Sequence, residues 1–224
     1  MHQITTDIRS DMPQLILASG SPRRKELLAR LGIPFVICPP SCGEKIIAKD
    51  SPEQNVIRLA RQKTENVFKS NRNAAVLGCD TLVSFKKEIL GKPRDPSDSL
   101  SILRKLNGHK HIVLSGICLM YGQQILCDVV STEVHFGKFS DEILQCYAAC
   151  GEGNDKAGAY AIQGIGAFLV DKINGSPTNV IGLPLLQTSN MLQKIGYKLF
   201  SQVFYKNAGY IYKSSKHTIK KFRY

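Results

Sequence analysis

The chain has 224 residues, 43% of them apolar, enough to bury a core as one α/β domain or two closely packed lobes, which argues against disorder. No apolar run approaches the ~18 residues of a bilayer span, and residues 1–14 carry Asp7, Arg9 and Asp11 where a secretion signal needs an apolar stretch, so a cytoplasmic protein without a membrane partner is expected. The net charge of +12 fits a polyanionic partner, either a triphosphate or nucleic acid, while seven cysteines without zinc-ligand spacing read as reduced core residues.

In chain order, Leu15-Ile16-Leu17-Ala18 reads as a short strand, followed by Ser19-Gly20-Ser21-Pro22-Arg23-Arg24 and a helix with Leu27, Leu28 and Leu31 inside, stopped by Gly32. Residues 35–38 form a second strand candidate and 39–49 a loop. Ser51-Pro52-Glu53 opens a helix that buries Val56, Leu59, Ala60 and Val67. Residues 74–79 are a buried strand with Asp80 directly at its end, and 82–85 pair with 88–90 around Lys86-Lys87. Asp95-Pro96 starts a helix with Leu100, Leu103 and Leu106 inside, closed by Asn107-Gly108. Two long strands, 112–121 and 125–136, meet near Gly122, and Ser140-Asp141-Glu142 caps a helix to about Cys150. A last strand at 167–173 and a last helix at 183–195 complete an α/β fold with a mixed sheet.

The chemistry gathers at a few places. At Ser19-Gly20-Ser21-Pro22-Arg23-Arg24, glycine permits close approach, Ser21 is an N-cap candidate, and amides and guanidinium groups converge at a helix N-terminus, as at a phosphate site or an ordinary helix cap. Asp80, at a strand end, opens into the crevice where α/β folds place ligands; it can hold a divalent cation, activate water, or bond turn amides. Glu44 and Glu152 sit in loop-like stretches, and either can add a carboxylate to a magnesium site or remain solvated. Lys63 interrupts an apolar helix face and Lys92 lies in Gly91-Lys92-Pro93; both can neutralise phosphate, and a helix lysine can equally reach out to solvent. Residues 155–164 lack any period, as binding loops do, and Gln163 carries a donor beside an acceptor, complementary to a uracil or thymine edge, or bonds to backbone.

Taken in order, Leu17-Ala18-Ser19-Gly20-Ser21-Pro22-Arg23-Arg24, Gly78-Cys79-Asp80-Thr81, Gly91-Lys92-Pro93, Gly151-Glu152 with Asp155-Lys156-Ala157-Gly158-Ala159-Tyr160, Ile162-Gln163-Gly164 and Asn179-Val180-Ile181-Gly182-Leu183-Pro184 resemble the Maf family of nucleotide pyrophosphatases. The resemblance implies a two-lobed, Maf/ITPase-like α/β structure, an elongated mixed sheet flanked by helices around a central nucleotide cleft. It implies hydrolysis of a nucleoside triphosphate to the monophosphate and pyrophosphate with a divalent metal, Mg²⁺ or Mn²⁺. Asp80 matches the catalytic aspartate. Ser19, Arg24, Glu44, Lys63 and Lys92 match polar positions lining the cleft. Ser19, Ser21, Arg24, Lys63 and Lys92 are then the expected phosphate binders, and Asp80 with Glu44 the expected metal pair. Arg23, Thr81 and Gln163 match the positions that distinguish the branch acting on dTTP and UTP. Departures include Ala161 in place of a commoner glycine, Pro177 ahead of Thr178-Asn179, and Cys42-Gly43-Glu44 where an acidic pair precedes the glutamate.

The expected division is an extension at 1–14, a pyrophosphatase domain at 15–197 and a basic tail at 198–224 with seven basic and no acidic residues. Whether the chain forms a homodimer is open. The rival reading is a nucleic-acid-binding or cell-division regulatory module acting through that tail, where Phe204, Tyr205, Tyr210, Tyr212 and Tyr224 interleave the charges.

Overall fold

Residues 12–199 are described by a computed structural model of the chain. Strand β1 (Leu15–Ala18) leads to helix α1 (Pro22–Ala29), then β2 (Phe35–Ile37), α2 (Pro52–Phe68), β3 (Ala75–Phe85), β4 (Glu88–Leu90) and α3 (Pro96–Leu106). There follow β5 (Lys110–Tyr121), β6 (Gln124–Phe136), α4 (Asp141–Cys150), β7 (Val170–Asn174), α5 (Pro177–Ile181) and α6 (Leu185–Lys194). Ser51, Asp95 and Ser140 cap their helices with side-chain oxygens, and Ser51 completes a reciprocal capping box with Gln54. The Lys86-Lys87 turn forms without glycine: both lysines take left-handed backbone, at φ 51° and 71°, the geometry that a two-residue hairpin requires.

Three local expectations change. Ser21 stands at the N-cap position of α1 but its side chain caps nothing; its N–H instead donates to Ser19 Oγ at 3.2 Å. Residues 165–169 form a 3₁₀ turn, so the last strand begins at Val170, and α5 is an additional short helix started by Pro177 behind the Ser176 cap. Asp80 lies inside β3 rather than at a strand end.

The seven strands form one mixed sheet in the order β2-β1-β3-β5-β6-β7, with β4 also on β3. β1 is parallel to β2 and β3, and the remaining pairs are antiparallel. The pairing explains why Asp80 still faces an opening. On one side of β3 the ladder to β1 ends at Ala18 opposite Gly78, and the ladder to β4 begins at Val83 opposite Leu90. Between them residues 79–82 have no strand neighbour on that side among the described residues, although β5 pairs them on the other. The gap acts as a strand end in the middle of a strand.

Of the hydrophobic cores among the described residues, two lie on either side of this gap. One gathers Leu15, Leu17, Leu27, Leu28, Leu77 and Leu192 around β1, α1 and α6; the other gathers Val83, Leu103, Leu106, Phe136, Tyr147 and Leu169 around α3 and α4. Each fully buried leucine contributes roughly 1.5–3 kcal/mol by leaving water. Helix α2 crosses the sheet closely because two positions beneath it are glycine. A Cβ on Gly78 would stand 2.2 Å from Thr64 Oγ1, and one on Gly116 2.4 Å from the Val56 carbonyl oxygen. That close approach brings Lys63 down to the sheet.

Candidate active site

The gap in the sheet is the floor of a cleft of about 630 Å³, within the size of small-molecule sites. Its walls bring together ten of the eleven residues singled out from the sequence: Ser19, Ser21, Arg23 and Arg24 from the β1–α1 turn, Glu44, Lys63, Asp80 and Thr81, Lys92, and Gln163. Glu152 does not join them.

At the floor, Asp80 is 4% and Lys63 5% exposed, so α2 delivers its lysine inward and not to solvent. Lys63 Nζ donates to Asp80 Oδ1 at 2.5 Å and lies 2.7 Å from Glu44 Oε1. Burying an ion pair costs several kcal/mol of hydration per ion, and hydrophobic replacement is often neutral or better, so stability does not account for this arrangement. Partial burial pushes the Glu44 carboxyl up, but the hydrogen bond and charge of Lys63, with Lys92 and Arg24 behind it, together hold it below its ordinary value. Glu44 is therefore the exposed end of a chain of alternating charge that starts at Asp80.

Beside this floor, Arg24 is fixed by three contacts. Its Nε donates to the Gly182 carbonyl at 2.9 Å, and its terminal nitrogens donate to Ser19 Oγ at 3.4 Å and Thr81 Oγ1 at 3.2 Å. Thr81 in turn shares a hydrogen bond of 2.9 Å with Ser115, which donates to the Asn179 carbonyl at 3.3 Å. The serine–arginine turn is thus tied to the residue after Asp80. Gly182, held at φ 125°, also accepts from the buried Cys79 thiol at 3.2 Å. Reading the sequence residue by residue missed this use of the Gly182 carbonyl and of Ser115, because a backbone acceptor leaves no signature in residue type.

At the opposite end, Gln163 is exposed on the segment after Tyr160. That segment is pinned by Glu152, which accepts from the N–H groups of Ile165 at 2.8 Å and Gly166 at 2.7 Å and from the Tyr147 hydroxyl at 2.9 Å. The same hydroxyl accepts from the N–H of Ala161 at 3.1 Å. Burial pushes the Glu152 carboxyl up, but these donors, with Lys156 nearby, overcome it and hold it below its ordinary value. Glu152 is therefore a loop clamp, where the sequence left it as either a metal carboxylate or a solvated acid: its oxygens are taken by amides and a hydroxyl. Across the mouth, Arg23 Nη1 stands 3.7 Å from Asp155 Oδ2, an exposed pair worth little in energy that shows the two walls facing each other.

Among the described residues no three His, Cys, Asp or Glu side chains gather as a metal cluster. Asp80 and Glu44 nevertheless converge on one cation, the Lys63 ammonium. Two carboxylates suit Mg²⁺, which keeps several waters and takes remaining ligands from substrate phosphates. The donor set fits a divalent cation of that kind. The cysteines depart from the expected core role: Cys79 and Cys118 are buried, whereas Cys127, Cys146 and Cys150 are exposed. No helix among the described residues is long and apolar enough to cross a membrane. The basic tail, apart from Lys198 and Leu199, lies outside the described residues.

The chain is 46% identical over 190 residues to a dTTP/UTP pyrophosphatase of Symbiobacterium thermophilum, covering 85% of this chain and 98% of that one. It is 41% identical over 194 residues to a dTTP/UTP pyrophosphatase of Caldicellulosiruptor saccharolyticus, covering 84% and 98%. The family model described as Maf-like protein matches residues 14–195. With a match of that extent, and relatives covered almost end to end, the chain belongs to the Maf family.

Proposed function

We propose that this protein is a nucleoside triphosphate pyrophosphatase that hydrolyses dTTP and UTP to the monophosphate and pyrophosphate, working in the cytoplasm, with 15–197 as its catalytic unit. The observation that carries the reading is the buried Lys63–Asp80 pair at the floor of a cleft whose wall is the Ser19–Arg24 turn. The names of the relatives support the choice of nucleotide.

The nucleotide lies with its phosphates along Ser19, Ser21, Arg24, Lys63 and Lys92 and its base toward Gln163, whose paired donor and acceptor match the edge of a pyrimidine-2,4-dione. Arg23 and Thr81, one at the mouth and one holding Arg24, complete the selective contacts. Asp80, oriented through the Oδ1 that Lys63 holds, accepts the proton of a water that attacks the α-phosphorus. The bond from that phosphorus to the bridging oxygen breaks, and pyrophosphate leaves with its charge met by Arg24, Lys63 and Lys92. A divalent metal, Mg²⁺ or Mn²⁺, held by Asp80 and Glu44, would add neutralisation and polarisation of phosphate oxygens.

A panel of nucleoside triphosphates with Mg²⁺ or Mn²⁺, assayed separately for pyrophosphate and orthophosphate, tests this reading. Pyrophosphate as first product, with dTTP and UTP preferred, is expected. Orthophosphate first would make the protein a phosphatase, and a purine preference would remove the role given to Gln163.

A further inference from the structure

On the face of the sheet that α2 covers, β5 and β6 set Cys118 directly opposite Cys127. Their sulfurs are 2.9 Å apart and both thiols are free. A disulfide bond is about 2.05 Å long, and opposed residues of an antiparallel pair have Cα atoms about 4.5–5.5 Å apart, inside the range that disulfides bridge. Bond formation therefore needs only a small closing movement of two side chains already in register.

The two thiols differ in the way that a sequential exchange requires. Cys127 is exposed, whereas Cys118 is fully buried, its carbonyl accepting from Thr64 Oγ1 on α2 at 3.2 Å. When Cys127 ionises, Cys118 can donate to it. That hydrogen bond outweighs burial and, with the Arg61 guanidinium of α2, holds the Cys127 thiol below its ordinary value. The partnership and burial push Cys118 the other way. The exposed thiol is thus the better nucleophile at neutral pH, and the buried one stays protonated until needed.

We propose that Cys118 and Cys127 form a reversible dithiol–disulfide site, in which Cys127 attacks a small-molecule disulfide such as oxidised glutathione and Cys118 resolves the adduct. In the first step the Cys127 thiolate bonds to one glutathione sulfur, and the other glutathione departs as its thiolate. In the second, Cys118 gives up its proton to the medium and bonds to Cys127 Sγ, expelling the second glutathione. The protein loses two hydrogens, and one oxidised glutathione becomes two reduced ones.

Full-length protein treated with oxidised glutathione, then mapped by mass spectrometry under non-reducing conditions, tests the proposal. The expected result is a mass loss of two hydrogens, a cross-link joining the peptides of Cys118 and Cys127, and full recovery of both thiols with dithiothreitol. Cys118→Ala should trap one glutathione on Cys127, and Cys127→Ser should leave Cys118 unreacted; circular dichroism checks that both fold. A cross-link between other cysteines, such as the exposed Cys146 and Cys150 one helical turn apart on α4, would overturn the proposal, as would a wild-type adduct on Cys127 that never passes to Cys118. The readout is independent of turnover, so it stands or falls apart from the nucleotide assignment.

Discussion

Glu44 and Glu152 are both carboxylates in irregular stretches, one in the cleft wall and one behind the segment that carries Gln163, and their surroundings have sorted them into different work. Glu44 is more than half exposed at 53% and meets a single side-chain cation, Lys63, so its oxygens remain available to a ligand. Glu152 has three donors of its own chain on its two oxygens, and a Cβ at Gly164 would collide with Oε1 at 1.8 Å. A carboxylate in a loop keeps its oxygens open to a ligand when its one partner is a side-chain cation at a cleft, and becomes a fastener when its neighbours are backbone N–H groups. In the function proposed above the first kind belongs to the phosphate end, and the second holds the segment that carries Gln163.

The largest expected effect lies at the phosphate end. Asp80→Asn keeps the side-chain volume and leaves Lys63 paired with Glu44, so the protein should fold while kcat on dTTP falls about 10²–10⁴-fold, the span of a lost general base. Steady-state kinetics with circular dichroism checks this; a folded variant with normal kcat would remove Asp80 from the chemistry. Gly78→Ala comes next, because its new Cβ strikes Thr64 on α2, and that helix carries Lys63. Overpacking of this kind costs about 1–3 kcal/mol, and the displaced lysine should lower kcat together with stability. Unfolding and kinetics measured on the same sample would show whether the two losses travel together.

Those two positions mark what was legible in the sequence. The alternation of strands and helices, the Ser19–Arg24 turn and the isolated Asp80 were readable because residue type and local spacing carry them. The extension of β3 past Asp80 was not, because the opening there comes from where β1 and β4 stop, a property of neighbouring strands. Gly78 and Gly116 were likewise mute: what they do is admit a helix from elsewhere in the chain. Lys63, taken by itself, read as a helix lysine reaching out to solvent, and its burial follows from that same close approach. Glu152 looked like a free acid since its partners are mostly backbone groups beyond any side-chain pattern.

Glu152→Ala should sharpen the contrast at the other end. Losing the clamp leaves Tyr147, Ile165 and Gly166 without their acceptor and should cost about 1–3 kcal/mol, read in urea unfolding, while kcat is largely kept and KM for dTTP rises as Gln163 loses its support. The pH dependence follows from the sign of the shift. The folded carboxyl lies below its ordinary value of 4.5, so its contribution is present above pH 4.5 and lost as pH falls through the folded value. Glu152→Gln should flatten that part of the stability profile in acid; an unchanged slope would mean that the clamp is not carried by the ionised form. Glu44→Gln should have the smallest effect, a rise of about tenfold or less in the Mg²⁺ concentration needed for half-maximal rate, since phosphate oxygens and waters supply most ligands of such an ion. A metal titration measures it.

The most direct test is to hydrolyse dTTP in water enriched in heavy oxygen and to find where the label goes. Attack on the α-phosphorus at the Asp80 floor predicts heavy oxygen in the monophosphate and none in pyrophosphate. Label in pyrophosphate or orthophosphate would place the attack on another phosphorus and contradict the account.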